Sequence, residues 1–175
     1  MKLEVKERYP RECYDELLYV VSFLKYFRKK PETKVERVTE HLQKYSLYSA
    51  LAFSLFLVFN MIFKNIIFLI MAVLAVLIGI YAYMTKKNSE KQIDAFLNEA
   101  GNRTYEINDE GITYSSDTKM VKLPWENVEM ILKGKYAFCF VPSSNTDFII
   151  CISRQYEDEV MQGIKEAGKE KLIRG

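Results

Sequence analysis

The sequence predicts an α+β membrane protein: N-terminal helices, a two-helix transmembrane hairpin, and a small antiparallel β domain capped by a C-terminal helix. Three observations predict it. From Leu47 to Met84 the only formal charge is Lys64, although 27% of the whole chain is charged. Basic residues crowd both flanks of that stretch. After Lys91 the pattern changes to short runs rich in β-branched and aromatic residues, separated by turn signals. At 175 residues, the chain has room for one domain and an anchor. The expected division is 1–45 for cytosolic juxtamembrane helices, 46–85 for the hairpin (spans about 47–63 and 66–84), and 86–175 for the cytosolic β domain.

The opening "MKLEVKERYPRE" has no apolar region of the signal-peptide kind. "YPRECYDELLYVVSFLKYF" reads as a helix beginning near Pro10, with Leu17, Val20, Val21, Leu24 and Phe27 on one face. "FRKK" and Pro31 end it. A second helix, "ETKVERVTEHLQKY", is expected to run straight into the first span. The amphipathic face suits an anionic lipid surface, the C-terminal domain or a second copy of the chain.

As one helix, Leu47 to Met84 would be roughly 57 Å long at about 1.5 Å per residue, against a hydrocarbon core of about 30 Å. Two spans, "LYSALAFSLFLVFNMIF" and "IIFLIMAVLAVLIGIYAYM", fit far better. Lys64-Asn65 is then the turn, since Asn tolerates a left-handed backbone and Lys can snorkel to the interface. Lys25, Arg28, Lys29, Lys30, Lys34, Arg37 and Lys44 precede the first span, and Lys86, Lys87 and Lys91 follow the second. The positive-inside rule puts both termini in the cytoplasm. Tyr45, Tyr48, Tyr81 and Tyr83 fall at that same interface. Ser46, Ala50 and Ser54 on one span, and Ala72, Ala75, Gly79 and Ala82 on the other, form stripes that let two helix backbones approach closely. Asn60 is polar within a span but only about one turn from the interface, where water or a headgroup satisfies it.

"QIDAFLNEAGN" is expected to complete a helix with a Gly stop. The runs "RTYEI", "GITYSS", "KMVKLP", "VEMILK", "YAFCFVPS" and "DFIICIS" then read as strands, with turns at "NDEG", "SSD" and "SSNT". "RQYEDEVMQGIKEAGKEKL" is an amphipathic helix with Tyr156, Val160, Ile164 and Ala167 on one side. About six strands and one helix suggest a small curved sheet or barrel with its open end plugged. Trp125 should anchor the core, its indole N–H bonded to a backbone carbonyl.

The order "YEINDEGITYSS", "KLPWENVEMILKGKYAFCFVP", "DFIICIS" resembles the YcxB-like family of bacterial membrane proteins. The W-x-x-V step at Trp125 to Val128 matches the family pattern, and "YPRECYDELLYV" is similar to its N-terminal one. The chain departs from the family at "ICISRQY", where a Pro-Lys pair is usual. The resemblance implies two transmembrane helices followed by a pleckstrin-homology-like β domain, in the bacterial cytoplasmic membrane. It implies no reaction.

Net charge is +2, too small to argue for nucleic acid. His41 is the only histidine, which removes His-based metal clusters and weakens any triad. Asp109-Glu110 sits in a turn, where acids are common for backbone reasons. Cys13, Cys139 and Cys151 have no disulfide or zinc spacing, and Cys139 and Cys151 read as inert core thiols on neighbouring strands. Lys119, Lys122, Lys133 and Lys135 offer a rim for lipid or peptide. No catalytic, cofactor-binding or metal-ligating residues are nominated, and no cofactor. The expected function is a membrane-tethered cytosolic interaction module that binds a protein partner or the membrane surface without catalysis. The rival is a small membrane immunity or defence protein whose hairpin oligomerises or blocks a toxin. The partners expected are the lipid bilayer and a protein, with homo-oligomerisation also open, and no nucleic acid.

Overall fold

A computed structural model of the chain describes residues 1–5, 9–98, 102–144 and 148–174, the side chains at 96 and 98 excepted. Helices and antiparallel sheet are mixed, and two helices are long and apolar enough to cross a membrane. The chain forms two compact units, Met1–Glu36 with Ile93–Gly175, and Arg37–Gln92. This differs from the expected 1–45, 46–85 and 86–175, because the N-terminal segment clusters with the β-rich part. The cause is a strand that the sequence reading left unassigned. β1 (Lys2–Val5) pairs antiparallel with β2 (Arg103–Asn108), Leu3 opposite Tyr105 and Val5 opposite Arg103. Leu3 and Val5 alternate with charged Lys2 and Glu4, so the strand has one apolar face, and that face is buried.

The runs read as strands are β2 to β7: after β2 come β3 (Gly111–Ser116), β4 (Met120–Pro124), β5 (Val128–Lys133), β6 (Ala137–Pro142) and β7 (Ile150–Ser153). With β8 (Ile173–Arg174), they make two four-stranded sheets, ordered β1-β2-β3-β4 and β7-β6-β5-β8. Among the described residues β8 is the one parallel addition, alongside β5. Turn chemistry accounts for the "NDEG" and "SSD" reversals. Asn108 Oδ1 accepts from the N–H groups of Glu110 and Gly111, and Ser116 and Lys119 exchange backbone and hydroxyl bonds. A side chain at Gly111 would collide with the Leu123 carbonyl. The "SSNT" turn and the Gly101 helix stop extend outside the described residues.

Trp125 is buried, and its indole N–H donates to the Asn108 carbonyl at 2.7 Å, as expected. Its ring lies 6.5 Å from Phe140, tying the end of one sheet to the middle of the other. Every residue of β6 is buried. Both faces of a strand can be covered only if something packs on each. α1 (Arg11–Ser22) packs on β6 and β7. It is fastened by Glu16, a buried acid that accepts from the backbone N–H groups of Lys135, Tyr136 and Ala137 at 2.8 to 2.9 Å. Gly134 is glycine because a Cβ there would run into the Glu16 carboxylate. Burial, outweighing those N–H groups and Arg154, leaves this carboxyl above its ordinary range. The Cys13 thiol donates to the Tyr136 carbonyl beside it.

The expected first helix is broken in two. Phe23 leaves helical geometry (φ −113°, ψ 21°), separating α1 from α2 (Leu24–Lys29). Val20 and Phe27 are buried as expected, Leu17 and Leu24 are half-buried, and Val21 points out at 52% exposure. Arg28, counted in the basic flank of the first span, holds Glu129 and the carbonyls of Pro142 and Ser143. The second helix starts at Val38, not near Glu32, and continues into the first apolar segment as α3 (Val38–Phe63). α5 (Glu157–Glu166) ends at Gly168, whose φ of +65° is the left-handed conformation that stops helices. Val160, Gly163 and Ile164 are its buried face, and Gly163 packs on Ile107 of β2.

In the other unit, α3 turns back into α4 (Ile66–Asn98), whose last part lies beyond that unit. The reversal at Lys64-Asn65 is as expected, with the roles exchanged. Lys64 takes the left-handed backbone (φ 49°), and Asn65 Oδ1 accepts from the Ile67 N–H to start α4. Phe59, Phe63 and Phe68 cluster there, with centroids 5.6 to 6.2 Å apart. Ala72, Ala75 and Ala82 of the second stripe are buried. The first stripe is rotated, however: Ala50 and Ser54 are exposed, and Ser49 meets Gly79, where an added Cβ would come 2.5 Å from its Oγ.

Candidate functional site

The inner face of the first sheet runs from apolar to polar along β2. Strand alternation puts Arg103, Tyr105 and Ile107 on one face. Across to β3 they pair with Ser116, Tyr114 and Ile112. The Ile107–Ile112 end is buried, and α5 packs over Ile107. The Arg103–Ser116 end opens into a cavity of about 590 Å³. Tyr9, Tyr14 and Leu17 wall it from the N-terminal segment, and Ile149, Ile150 and Cys151 from around β7. Lys119 and Phe148 stand at its mouth, the ammonium 3.3 Å from the centre of the ring. Asp117 and Thr118 of the β3–β4 turn complete the rim.

Arg103 is charged and lines this cavity together with Lys119 and Asp117. Its guanidinium carbon lies 5.4 Å from the Tyr9 ring centre and 5.5 Å from that of Tyr14, cation–π distances for both. Among the described residues it makes no ion pair. Tyr9 stacks on Tyr105 (6.2 Å, 14°), and Tyr105 packs at 5.3 Å against Tyr114. Burial raises the phenol pKa of Tyr9, Tyr14 and Tyr105, so all three stay neutral near pH 7. The Tyr9 hydroxyl is near enough to Tyr105 for each to influence the other's ionisation. It nonetheless meets hydrogen-bond geometry with no described residue.

Cys151 sits directly across from Cys139, as expected of neighbouring strands. The hydrogen bond that the Cys151 thiol donates to Cys139, together with burial, pushes that thiol up, and burial takes Cys13 to about 12. Protonated thiols of this kind are weak nucleophiles. A fixed cation among neutral phenols and aliphatic walls is equipped to hold an organic anion.

No family model, no curated protein and no solved structure matches this chain.

The lysines expected to share a rim are dispersed. Lys122 pairs with Glu110 (2.5 Å), Lys133 pairs with Glu157 (2.8 Å), and Lys135 lies over Tyr136, so only Lys119 lines the cavity. His41 packs edge-on against Tyr45. Among the described residues no three His, Cys, Asp or Glu side chains converge to hold a metal. The residues that sequence reasoning passed over are Arg103, Tyr9, Tyr14 and Glu16. "RTYEI" carried a signal for the first: a charge in phase with the buried Tyr105 and Ile107 is a charge pointing inward.

Proposed function

We propose that this chain is a membrane-tethered interaction module that binds a protein partner or the membrane surface without catalysis. In this reading α3 and α4 cross the bacterial cytoplasmic membrane and both termini are cytoplasmic. The two sheets with α5 form a pleckstrin-like domain of the YcxB-like kind. The observation that carries the reading is the pairing of β1 with β2. Those strands flank the apolar helices in sequence yet belong to one sheet, so both ends of a membrane hairpin would lie on one side. Lys29, Lys30, Lys34, Lys86, Lys87 and Lys91, against Lys64 alone at the turn, support the cytoplasm as that side. The cavity gives the module somewhere to bind.

The test is a photoreactive phenylalanine analogue at position 148, on the cavity mouth, in the full chain in its host membrane. Position 106, exposed on the outer face of β2, is the control. A discrete adduct at 148 but not at 106, kept when both apolar helices are replaced by unrelated ones, is expected. An adduct lost on that replacement would transfer the function to the hairpin, as in a toxin-blocking or oligomerising protein. Equal crosslinking at both positions would end the cavity's part in it.

A further inference from the structure

We propose that the Arg103 cavity is a site for a singly charged amphiphile. Its carboxylate or phosphodiester would lie on the Arg103 guanidinium and its apolar body against Leu17, Ile149 and the tyrosine rings. This rests on the reading of the β unit as a binding module and specifies what it binds. The volume, about 590 Å³, suits a small organic molecule and is far larger than an inorganic ion needs. Arg103 comes from a strand, so its guanidinium is held by the sheet and by two ring faces before any ligand arrives. A guanidinium packed against rings keeps its in-plane N–H edge for acceptors, and that edge matches a carboxylate or phosphate. The Tyr14 hydroxyl takes part of that edge, and among the described residues no acid does so.

Charge counting among the described residues favours a ligand with one negative charge. Of the described lining residues, Arg103 and Lys119 give two positive charges and Asp117 one negative, a net of one positive. Phe148, 53% exposed at the mouth beneath Lys119, and the aliphatic lining offer an apolar path from the anion to the outside.

The experiment is calorimetric titration of the full chain in phosphatidylcholine nanodiscs. The probes are octanoate, its neutral counterpart octanol, and short-chain phosphatidylglycerol. Saturable one-to-one binding of octanoate or phosphatidylglycerol is expected, with octanol giving none. Tighter binding of octanoate identifies a free organic acid as the ligand source, and tighter binding of phosphatidylglycerol a lipid headgroup. Arg103→Gln should weaken the anion by about tenfold or more, the scale of a lost charge-assisted pair. Thr118→Glu, on the exposed turn, adds repulsion at the rim without touching the core and should weaken it as well. The proposal is overturned if neither anion saturates, if octanol binds as tightly, or if both variants bind unchanged. A discrete adduct at position 148 alongside any of these would leave the tethered module standing and remove only the ligand assigned to it.

Discussion

Glu16 is an acid on a buried helix face, and three backbone N–H groups of the β5–β6 turn depend on it. Glu16→Ala would strip all three of their acceptor, and a buried donor left unmade costs about 1–3 kcal/mol. A loss of about 3 kcal/mol or more in denaturant unfolding of the full chain is expected. Trp125→Ala should cost about 3–5 kcal/mol, because it removes a large buried ring and the indole bond to Asn108. Glu157 gives the opposite pH behaviour to a buried acid. Bonds from Lys133 and Arg154 hold its carboxyl below the ordinary 4.5, so the folded chain binds that proton less readily than the unfolded one. The stability it adds is present above the ordinary value and is lost as pH falls through the lowered one. Melting measured against pH should show Glu157→Gln slightly less stable at neutral pH, with the difference closing in acid. The effect is small because the pair is partly exposed. The Trp125 bond was legible in the sequence, since a buried indole needs an acceptor. Glu16 was not, because its first partner lies 119 residues away and leaves no local pattern.

At the scale of elements, the hairpin shows what periodicity reveals and where it stops. The spacing of Ala72, Ala75 and Ala82 correctly marked the buried face of α4. On α3, Ser46, Ala50 and Ser54 were equally periodic, yet Ser54 turns its hydroxyl back to the Ala50 carbonyl and faces out. A serine satisfied by its own helix does not reveal which way it points. Paired cysteines at 49 and 79 should therefore crosslink in membranes, and a pair at 54 and 75 should not. Gly79→Leu should loosen that hairpin by driving a side chain into Ser49, while Leu77→Ala, at an exposed site, should leave the crosslink unchanged. The six central strands were legible from their β-branched runs and turn residues. β1 was missed because "KLEV" is four residues of ordinary composition, and its strand character comes from β2.

For the whole molecule, the β unit is discontinuous in sequence, with residues 37–92 inserted between its two parts. A fragment of residues 100–175 lacks β1, α1 and the Glu16 fastening, and it should show water-exposed tryptophan emission and no cooperative unfolding. Residues 1–36 joined to 93–175 by a Gly/Ser linker should be soluble, with blue-shifted emission and a single transition. Cysteine at position 64 should react with an impermeant thiol reagent in intact cells and cysteine at 88 should not; the reverse would place the β unit outside. The pairing of Met1 with Ile107, 106 residues apart, also imposes a schedule on the ribosome. β1 and α1 emerge first and have no sheet to join until β2 has been made. In a chain whose hairpin enters the bilayer, both apolar helices are synthesised during that wait. Nascent chains stalled before Asn108 should accordingly be protease-sensitive in α1, and chains extended until Arg174 is clear of the ribosome resistant. Closing the sheet would then report that the hairpin has been delivered.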